Sequence, residues 1–473
     1  MKCYFFLPRT GVIFMSLARK LTLLLLLALL AVVILGLLVV YSHLEGQAPE
    51  IILPSQPTHL GRLTILDLTV RDMGTGLAML RMTAVQNGKE FKLFEKNYAA
   101  GSQWDSKGLT EASEKLEIKA VEQGMEQGPA TLIIQLRDRA FRNWFHGNLS
   151  ERQFQVVVDT LPPKVTVFSR TIHLNRGGVG LVVYKVNKPT PVHGVQVGKR
   201  FFQGVTPWPQ DPLACMAYFA FADDEDKGAG IRVLVQDSSG NQAGSGLTMR
   251  LKWKEFKNDT ISISDNFLEA VAPRFMAETP AATQQPLDVF LWVNEELRRQ
   301  NHNKILEVCT KPTTQQLWQG TFTRPQGKPM AGFADRRTYV YKGLDVSRSA
   351  HLGVDLADLA MSPIKSIAAG KVVFAGPLGI YGNCVILDHG QGICSLYGHM
   401  SEISVRLGQM VLLEGVLGRS GATGLALGDH LHVSILVGGV FVNPTEWWDP
   451  HWIQDNVVLR FQEASLPWPQ APK

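Results

Sequence analysis

Five residues near the C-terminal end are of types that bind metal ions or move protons. His351 and Asp355 are separated by three residues, His399 follows a Tyr-Gly pair, and His430 and His432 stand two positions apart. Residues at i and i+2 on a strand project to the same face, so we expect the last two histidines to face one site.

Neutral imidazole and carboxylate are good zinc ligands, and a catalytic zinc keeps three protein ligands and one open position for water. Two histidines and one aspartate supply that number. Two further histidines would remain beside the metal for proton transfer and for oxyanion stabilisation. This is the chemistry of amide hydrolysis. Each pattern alone is weak, because a His-x-x-x-Asp pair arises often by chance and a His-x-His strand is commonly structural.

In this order, the patterns resemble those of the lysostaphin-type (LytM-like) zinc endopeptidases, which hydrolyse peptidoglycan. The resemblance covers residues 330–450. The matching segments are His351–Asp355, Ala369–Val373, Tyr381–Asn383, Asp388–Gly390, Tyr397–Ser401, Gly408–Gln409, Gly421–Gly424, His430–His432 and Asn443–Pro444.

The resemblance implies a role for each of the five residues. His351, Asp355 and His432 are implied as ligands of one Zn²⁺ per chain, and His399 and His430 as the catalytic groups. His389 belongs to a turn in the family pattern and is interpreted as structural, and His451 as a surface residue. The chain departs from the family at Asp429, at Val433–Ser434 and at Phe333–Arg337. None of these is a ligand position, so the departures bear on substrate preference.

One apolar run near the N-terminus has the length of a membrane span. Residues 21–40 contain no charged residue, and about 20 apolar residues are needed to cross the hydrocarbon core. Lys2, Arg9, Arg19 and Lys20 precede it, whereas the first acidic residue is Glu45. This distribution predicts a cytoplasmic tail (1–20), a single-pass signal anchor (21–41) and an exported remainder. The alternative is a cleaved signal peptide, but no small-x-small site follows closely.

The segment between the anchor and the histidines is predicted to be mainly β. Short alternating runs, such as Thr131–Leu136 and Phe154–Val158, are broken by Gly, Asn and Asp. They resemble bacterial immunoglobulin-like modules, which predicts two β-sandwich domains at 60–162 and 163–255. Helical spacing from Leu287 to Leu297, with Pro286 in the first turn, predicts a short helical linker region at 265–329. The C-terminal antiparallel-β peptidase domain follows at 330–450.

Composition narrows the function classes. The 473 residues carry a net charge of +5, and no Lys/Arg-rich patch indicates a nucleic-acid partner. Five cysteines are too few for a disulfide scaffold. Cys384 and Cys394 flank a predicted hairpin with its turn at 389–392, and pairing Asp388 with Ile393 would offset the two sulfurs too far for a direct bridge.

These observations predict a membrane-anchored zinc endopeptidase that acts on peptidoglycan peptides in the periplasm or cell-wall space. One alternative is a catalytically silent regulator that activates another wall hydrolase, although all five metal and catalytic positions are present. Another is a protease that acts on proteins. The sequence does not identify a regulatory protein partner.

Overall fold

The computed structural model describes residues 17–99, 108–144, 146–280, 285–310 and 313–469. The described part is mainly β, as predicted. Its contacts form two compact units, one of residues 1–161 with 239–241 and one of residues 162–238 with 242–473. Lys2 and Arg9, used in the topology prediction, lie outside the described residues.

The apolar run forms helix α1, Leu17–His43, which extends beyond both ends of the predicted 21–41 segment. Its part from Arg19 to Leu38 is long and apolar enough to cross a membrane, and the side chains from 19 to 38 are all exposed. A signal sequence near an N-terminus has the same length and composition.

The first unit contains two sheets on one hydrophobic core. Its strands are β1 Glu50–Ile52, β2 His59–Leu60, β3 Thr64–Arg71, β4 Leu77–Gln86, β5 Lys89–Asn97, β6 Glu111–Ile118, β7 Gly128–Asp138 and β8 Leu149–Val158. One sheet has the order β1-β3-β6 and the other β2-β8-β7-β4-β5. Alternate residues of β3 and β7 are buried in the same cluster, including Leu68 and Leu132, so the two sheets face each other.

The second unit begins with small sheets. Their strands are β9 Val165–Val167, β10 Ile172–Asn175, β11 Gly178–Val186, β12 Val192–Val197, β13 Arg200–Gln203, β14 Ala214–Phe221, β15 Ile231–Gln236, β16 Gln242–Gly246 and β17 Met249–Lys252. The sheet orders are β14-β11-β9, β13-β12-β15-β16 and a parallel β10-β17 pair. Every residue of β14 is buried, because both of its faces are covered.

A buried carboxyl group joins these strands to the C-terminal part of the same unit. Glu446 accepts hydrogen bonds from Asn175 Nδ2 at 2.7 Å and from the Val179 amide at 3.0 Å. Burial raises the pKa of Glu446 to about 7, although both hydrogen bonds act in the opposite direction.

The region predicted as a helical linker is helical and is packed against the sheet that follows. Strand β18, Asn258–Ile263, precedes this region. The helical elements are α2 Asp265–Val271, a 3₁₀ turn Ala272–Arg274, α3 Pro286–Trp292, a π turn Val293–Leu297 and α4 Arg298–Cys309. Pro286 occupies the first turn of α3, as predicted. Val293 and Ile305 are buried in one cluster with Ile380 and Phe441. This region therefore contributes to the hydrophobic core of the C-terminal part.

Most of the remaining strands form one eight-stranded sheet. All the strands that follow α4 are β19 Lys328–Ala331, β20 Asp335–Tyr341, β21 Leu344–His351, β22 Val354–Ala357, β23 Pro363–Lys365, β24 Gly370–Pro377, β25 Asn383–Gly390, β26 Ile393–Met400, β27 Glu402–Ile403, β28 Met410–Val411, β29 Val416–Arg419, β30 Leu431–Val437 and β31 Val440–Val442. The large sheet has the order β19-β22-β30-β26-β25-β24-β28, with β31 beside β30.

Smaller elements complete the C-terminal part. Two small sheets have the orders β18-β20-β21 and β23-β29-β27. The remaining helical elements are a 3₁₀ turn Gly379–Tyr381, α5 Pro444–Trp447, α6 Pro450–Ile453, a π turn Gln454–Val458 and α7 Leu459–Glu463.

The β25-β26 hairpin corrects one predicted register. Asp388 pairs with Cys394, and Gly390 pairs with Ile393, so the two turn residues are Gln391 and Gly392. Both turn residues have positive φ, 56° and 83°, as a type I′ turn requires. The predicted pairing of Asp388 with Ile393 was wrong, because the strand continues through His389. Cys384 and Cys394 are buried and free, as expected.

Candidate metal centre

Strand register brings the predicted ligands together. His432, on β30, is directly opposite Asp355 on the neighbouring strand β22 and opposite Gly398 on β26. Directly opposite residues on adjacent strands have side chains on the same face, about 5 Å apart at Cβ. His351 is the last residue of β21, and two residues separate it from the start of β22. Sequence positions 351, 355 and 432 therefore meet at one point of the fold.

Three side-chain atoms converge there. The distances are 2.8 Å from His432 Nδ1 to Asp355 Oδ1, 3.0 Å from His351 Nε2 to the same oxygen, and 3.1 Å between the two nitrogens. All three residues are largely enclosed, with side-chain exposures of 6% for His432, 7% for His351 and 13% for Asp355.

The outer hydrogen bonds determine which ring nitrogens carry hydrogen. His351 Nδ1 is 2.8 Å from the Gly332 carbonyl, which can only accept, so Nδ1 is protonated and Nε2 bears a lone pair. Ser434 Oγ donates to the Leu352 carbonyl at 2.7 Å and therefore accepts from His432 Nε2–H at 2.9 Å. His432 Nδ1 is thus also a lone-pair nitrogen.

Two nitrogen lone pairs and a carboxylate oxygen therefore point at one another without a hydrogen between them. A cation removes this repulsion. Tetrahedral zinc, with bonds of about 2.0–2.1 Å, holds its ligand atoms about 3.3 Å apart, slightly farther than these atoms are here. Two imidazoles and one carboxylate are also the donor set of catalytic zinc sites. The residues present fit a divalent zinc ion.

The protonation states agree with this geometry. Burial would raise the pKa of Asp355, but the adjacent rings of His351 and His432 hold it well below its usual range, so the carboxylate is ionised. Burial lowers the pKa of His432 to about 4, which leaves its ring neutral. An ionised carboxylate and neutral imidazoles are the forms that bind metals.

His399 and His430 lie beside these atoms. His399 is near the end of β26 in a left-handed conformation (φ 62°), and its ring centroid is 4.8 Å from that of His430. His430 Nε2 is 3.7 Å from Asp355 Oδ1. Each ring places Nδ1 2.8 Å from a backbone carbonyl, that of Thr423 for His399 and that of Gly428 for His430, which leaves Nε2 as the lone-pair nitrogen. Burial lowers the pKa of His399 to about 3, so this ring is neutral.

The other two histidines of this region lie elsewhere, as predicted. His389 is fully buried between the Ala369 carbonyl, 2.8 Å from Nδ1, and Ser395 Oγ, 2.7 Å from Nε2. The His451 side chain is 93% exposed.

Sequence reasoning missed several residues around the site. Ser434 was noted only as a departure from the family, yet it fixes the hydrogen on His432. Asp429, another departure, accepts from the Met361 amide at 3.0 Å. Arg298 and Arg337 line the same cleft as the histidines. A family pattern could have indicated position 434, but no local signal in the sequence relates Arg298 to residues more than fifty positions away.

The convergent atoms lie in a cleft of about 380 Å³ with largely apolar walls. Leu352, Ile380 and Leu425–Leu427 line it from the C-terminal part, and Ile261, Phe267, Val271 and Phe290 line it from β18 and the helical region. A cleft of this kind accommodates an extended ligand and restricts water.

Known proteins resemble the part of the chain that forms this site. Residues 349–444 match the model of peptidase family M23. A DD-carboxypeptidase/endopeptidase Mpg from Neisseria meningitidis serogroup B is 38% identical over 94 residues, which are 20% of this chain and 22% of that protein. The peptidoglycan DD-endopeptidase ShyA from Vibrio cholerae is 37% identical over 93 residues, again 20% of this chain and 22% of the relative.

Among solved structures, the catalytic domain of the antimicrobial peptidase lysostaphin from Staphylococcus simulans is 29% identical, with a TM-score of 0.23. The match covers 26% of this chain and 92% of that one. The chain spans about a fifth of the length of the two curated relatives. The family match shows that the C-terminal part of this chain contains a peptidase family M23 domain, at residues 349–444.

Proposed function

We propose that this protein is a zinc-dependent endopeptidase that hydrolyses peptide bonds in the stem peptides or cross-links of cell-wall peptidoglycan. The observation that carries the proposal is the meeting of three hydrogen-free acceptor atoms, within 2.8–3.1 Å of one another, beside His399 and His430. The names of the Neisseria and Vibrio relatives support peptidoglycan as the substrate.

His351, Asp355 and His432 would hold one zinc ion per chain. When bound, zinc polarises a carbonyl group and lowers the pKa of water toward 7. His399 and His430 perform the proton transfers. Each presents a lone pair at Nε2 and can take a proton there, after which the same N–H can donate to the oxyanion or to the leaving amine. Their Nδ1 hydrogen bonds to backbone carbonyls keep both rings oriented throughout.

Location follows from helix α1. We place the N-terminus in the cytoplasm, α1 as an uncleaved anchor and the M23 domain outside the cytoplasmic membrane. The reason is that basic residues precede the apolar run, whereas the first acidic residue, Glu45, follows it. The two immunoglobulin-like sandwiches predicted at 60–162 and 163–255 belong to the same proposal, as modules between the anchor and the peptidase domain.

The proposal is tested on full-length protein in detergent. We expect about one zinc per chain by atomic absorption, and release of peptide-containing fragments from purified sacculi, identified by mass spectrometry and abolished by a chelator. Zinc-loaded protein that releases no fragments would contradict the proposal. If metal-free protein instead stimulated a separate wall amidase, the regulator would be the better description.

A further inference from the structure

A positively charged group from outside the segment that matches family M23 lines the same cleft as the candidate metal centre. Arg298 is the first residue of α4, and the match begins at residue 349. Its side chain is partly buried and lines the cleft together with His351, Asp355 and His432. The helical region thus contributes a positive charge to a cleft whose predicted ligands and catalytic histidines all lie between residues 351 and 432.

The Arg298 guanidinium has only neutral partners in the described part of the chain. Its Nε donates to the Asn294 carbonyl at 3.1 Å, and Nη2 donates to Asn294 Oδ1 at 2.8 Å. No carboxylate of a described residue lies within 4.0 Å of it. Arginine has five N–H donors, so three remain for a ligand. Burial lowers the pKa of Arg298, and the charge of Arg337 acts in the same direction, yet arginine stays protonated in proteins.

The carboxylates that line the cleft are already engaged. Asp355 is directed at the metal centre, with Oδ1 2.8 Å from His432 Nδ1, and Asp429 accepts from the Met361 amide. Arg337 reaches Asp355 only loosely, with 3.8 Å between Nη2 and Oδ2. The cleft therefore contains two guanidinium groups, and none of the carboxylates among its described residues pairs with Arg298. A partly desolvated arginine without an anionic partner is energetically costly unless a ligand supplies one.

We propose that Arg298, assisted by Arg337, binds a free carboxylate of the peptide substrate and so positions the scissile bond at the metal centre. The inference rests on the proposed function and specifies which chemical group of the peptide is recognised. Guanidinium binds carboxylate through two parallel hydrogen bonds, which fixes orientation as well as adding affinity. The carboxylate can be the C-terminal one of a stem peptide or that of an acidic side chain.

The experiment compares three synthetic stem peptides that differ only in charge. One carries all its carboxyl groups free, one has a C-terminal carboxamide, and one has its side-chain carboxyl group amidated. Full-length wild type, Arg298→Gln and Arg299→Gln are assayed for kcat/KM on each. Arg299 is the matched control, because it is the next residue, is 62% exposed and pairs with Glu296 at 2.6 Å on the helix surface.

We expect wild type and Arg299→Gln to prefer the fully acidic peptide over one of the two amides by about ten- to hundredfold, the range for hydrogen bonds to charged groups. Arg298→Gln should lose this preference. Because each ratio is taken within one preparation, partial misfolding of a variant does not change it. The amide that loses activity identifies the carboxylate.

Binding supplies a readout that does not need catalysis. The same peptides are titrated calorimetrically into metal-stripped wild type and Arg298→Gln, and the same loss of preference is expected in Kd. If wild type cuts all three peptides equally, or if Arg298→Gln keeps the preference, Arg298 does not recognise a carboxylate, while the endopeptidase proposal stands. If wild type cuts no stem peptide, the proposed function is wrong and the carboxylate assignment fails with it.

Discussion

Ser434 offers a sharp test of the candidate metal centre, because it acts on a ligand without touching the metal itself. Its side chain is fully buried and connects His432 Nε2, at 2.9 Å, with the Leu352 carbonyl, at 2.7 Å. In Ser434→Ala both groups lose their partner, which costs about 1–3 kcal/mol in the free energy of unfolding. The His432 ring also loses the contact that keeps hydrogen on Nε2 and the lone pair on Nδ1. Loss of such an outer-shell bond weakens metal affinity by about 10–100-fold.

Ser395→Ala is the matched control. Ser395 is also fully buried, lies on β26 next to β30, and connects His389 Nε2 at 2.7 Å with Tyr397 at 3.0 Å. It does not line the cleft. We expect a similar loss of stability in both variants, measured by thermal melting in EDTA. Zinc affinity, measured by competition with a chromophoric chelator, should fall only in Ser434→Ala. Equal zinc affinity in Ser434→Ala and wild type would refute the assigned tautomer and the role of His432 Nδ1 as a ligand.

Three further outcomes follow from the structure. Asp355→Ala should abolish both zinc binding, measured by metal analysis, and release of wall peptides from sacculi. His399→Ala should keep its zinc but lose at least about 100-fold in kcat in the same assays. One zinc per chain in Asp355→Ala would contradict the ligand assignment. Because the pKa of Glu446 is raised in the folded state to about 7 from an ordinary 4.5, its stabilising contribution is complete below about pH 4.5 and is lost as the pH rises through 7, by about 3 kcal/mol at most. The melting temperature of wild type should therefore fall more between pH 5 and 8 than that of Glu446→Gln, and parallel profiles would show that another group is responsible. A chain that begins at residue 330 should be insoluble or melt far below one that begins at residue 162, because the shorter chain lacks β18 and the helices that bury Ile380 and Phe441; equal melting temperatures would show that the helical region is dispensable.

The pairing of β18 changes how the region before the peptidase domain is understood. The sequence predicts residues 265–329 as a linker between domains. In the structure, β18 pairs in parallel with β20, and β20 pairs with β21, the strand that ends at His351. Removing β18 together with the helices that follow it would therefore disturb the position of His351.

The sequence alone determined the chemistry of the site and the segments that form it. His-x-His spacing and the acidic residue four positions after His351 predicted a zinc-type donor set once they were combined with the resemblance to zinc endopeptidases, because strand periodicity alone only places alternate residues on one face. The apolar run was enough to predict α1, because its length and composition suffice for a membrane-spanning helix. The runs Thr131–Leu136 and Phe154–Val158 were also predicted as β structure and lie within β7 and β8, since β-branched alternation is a local signal.

Tertiary structure alone decided which atoms meet. The pairing of Asp355 with His432, across 77 positions, depends on sheet order, and no local pattern encodes which strands become neighbours. The hydrogen on His432 is set by Ser434 and Leu352, and the Arg298 guanidinium in the cleft comes from α4, which begins beyond the helical spacing predicted at 287–297. Long-range packing determines these features, since each requires two segments that are distant in the chain to be buried against each other.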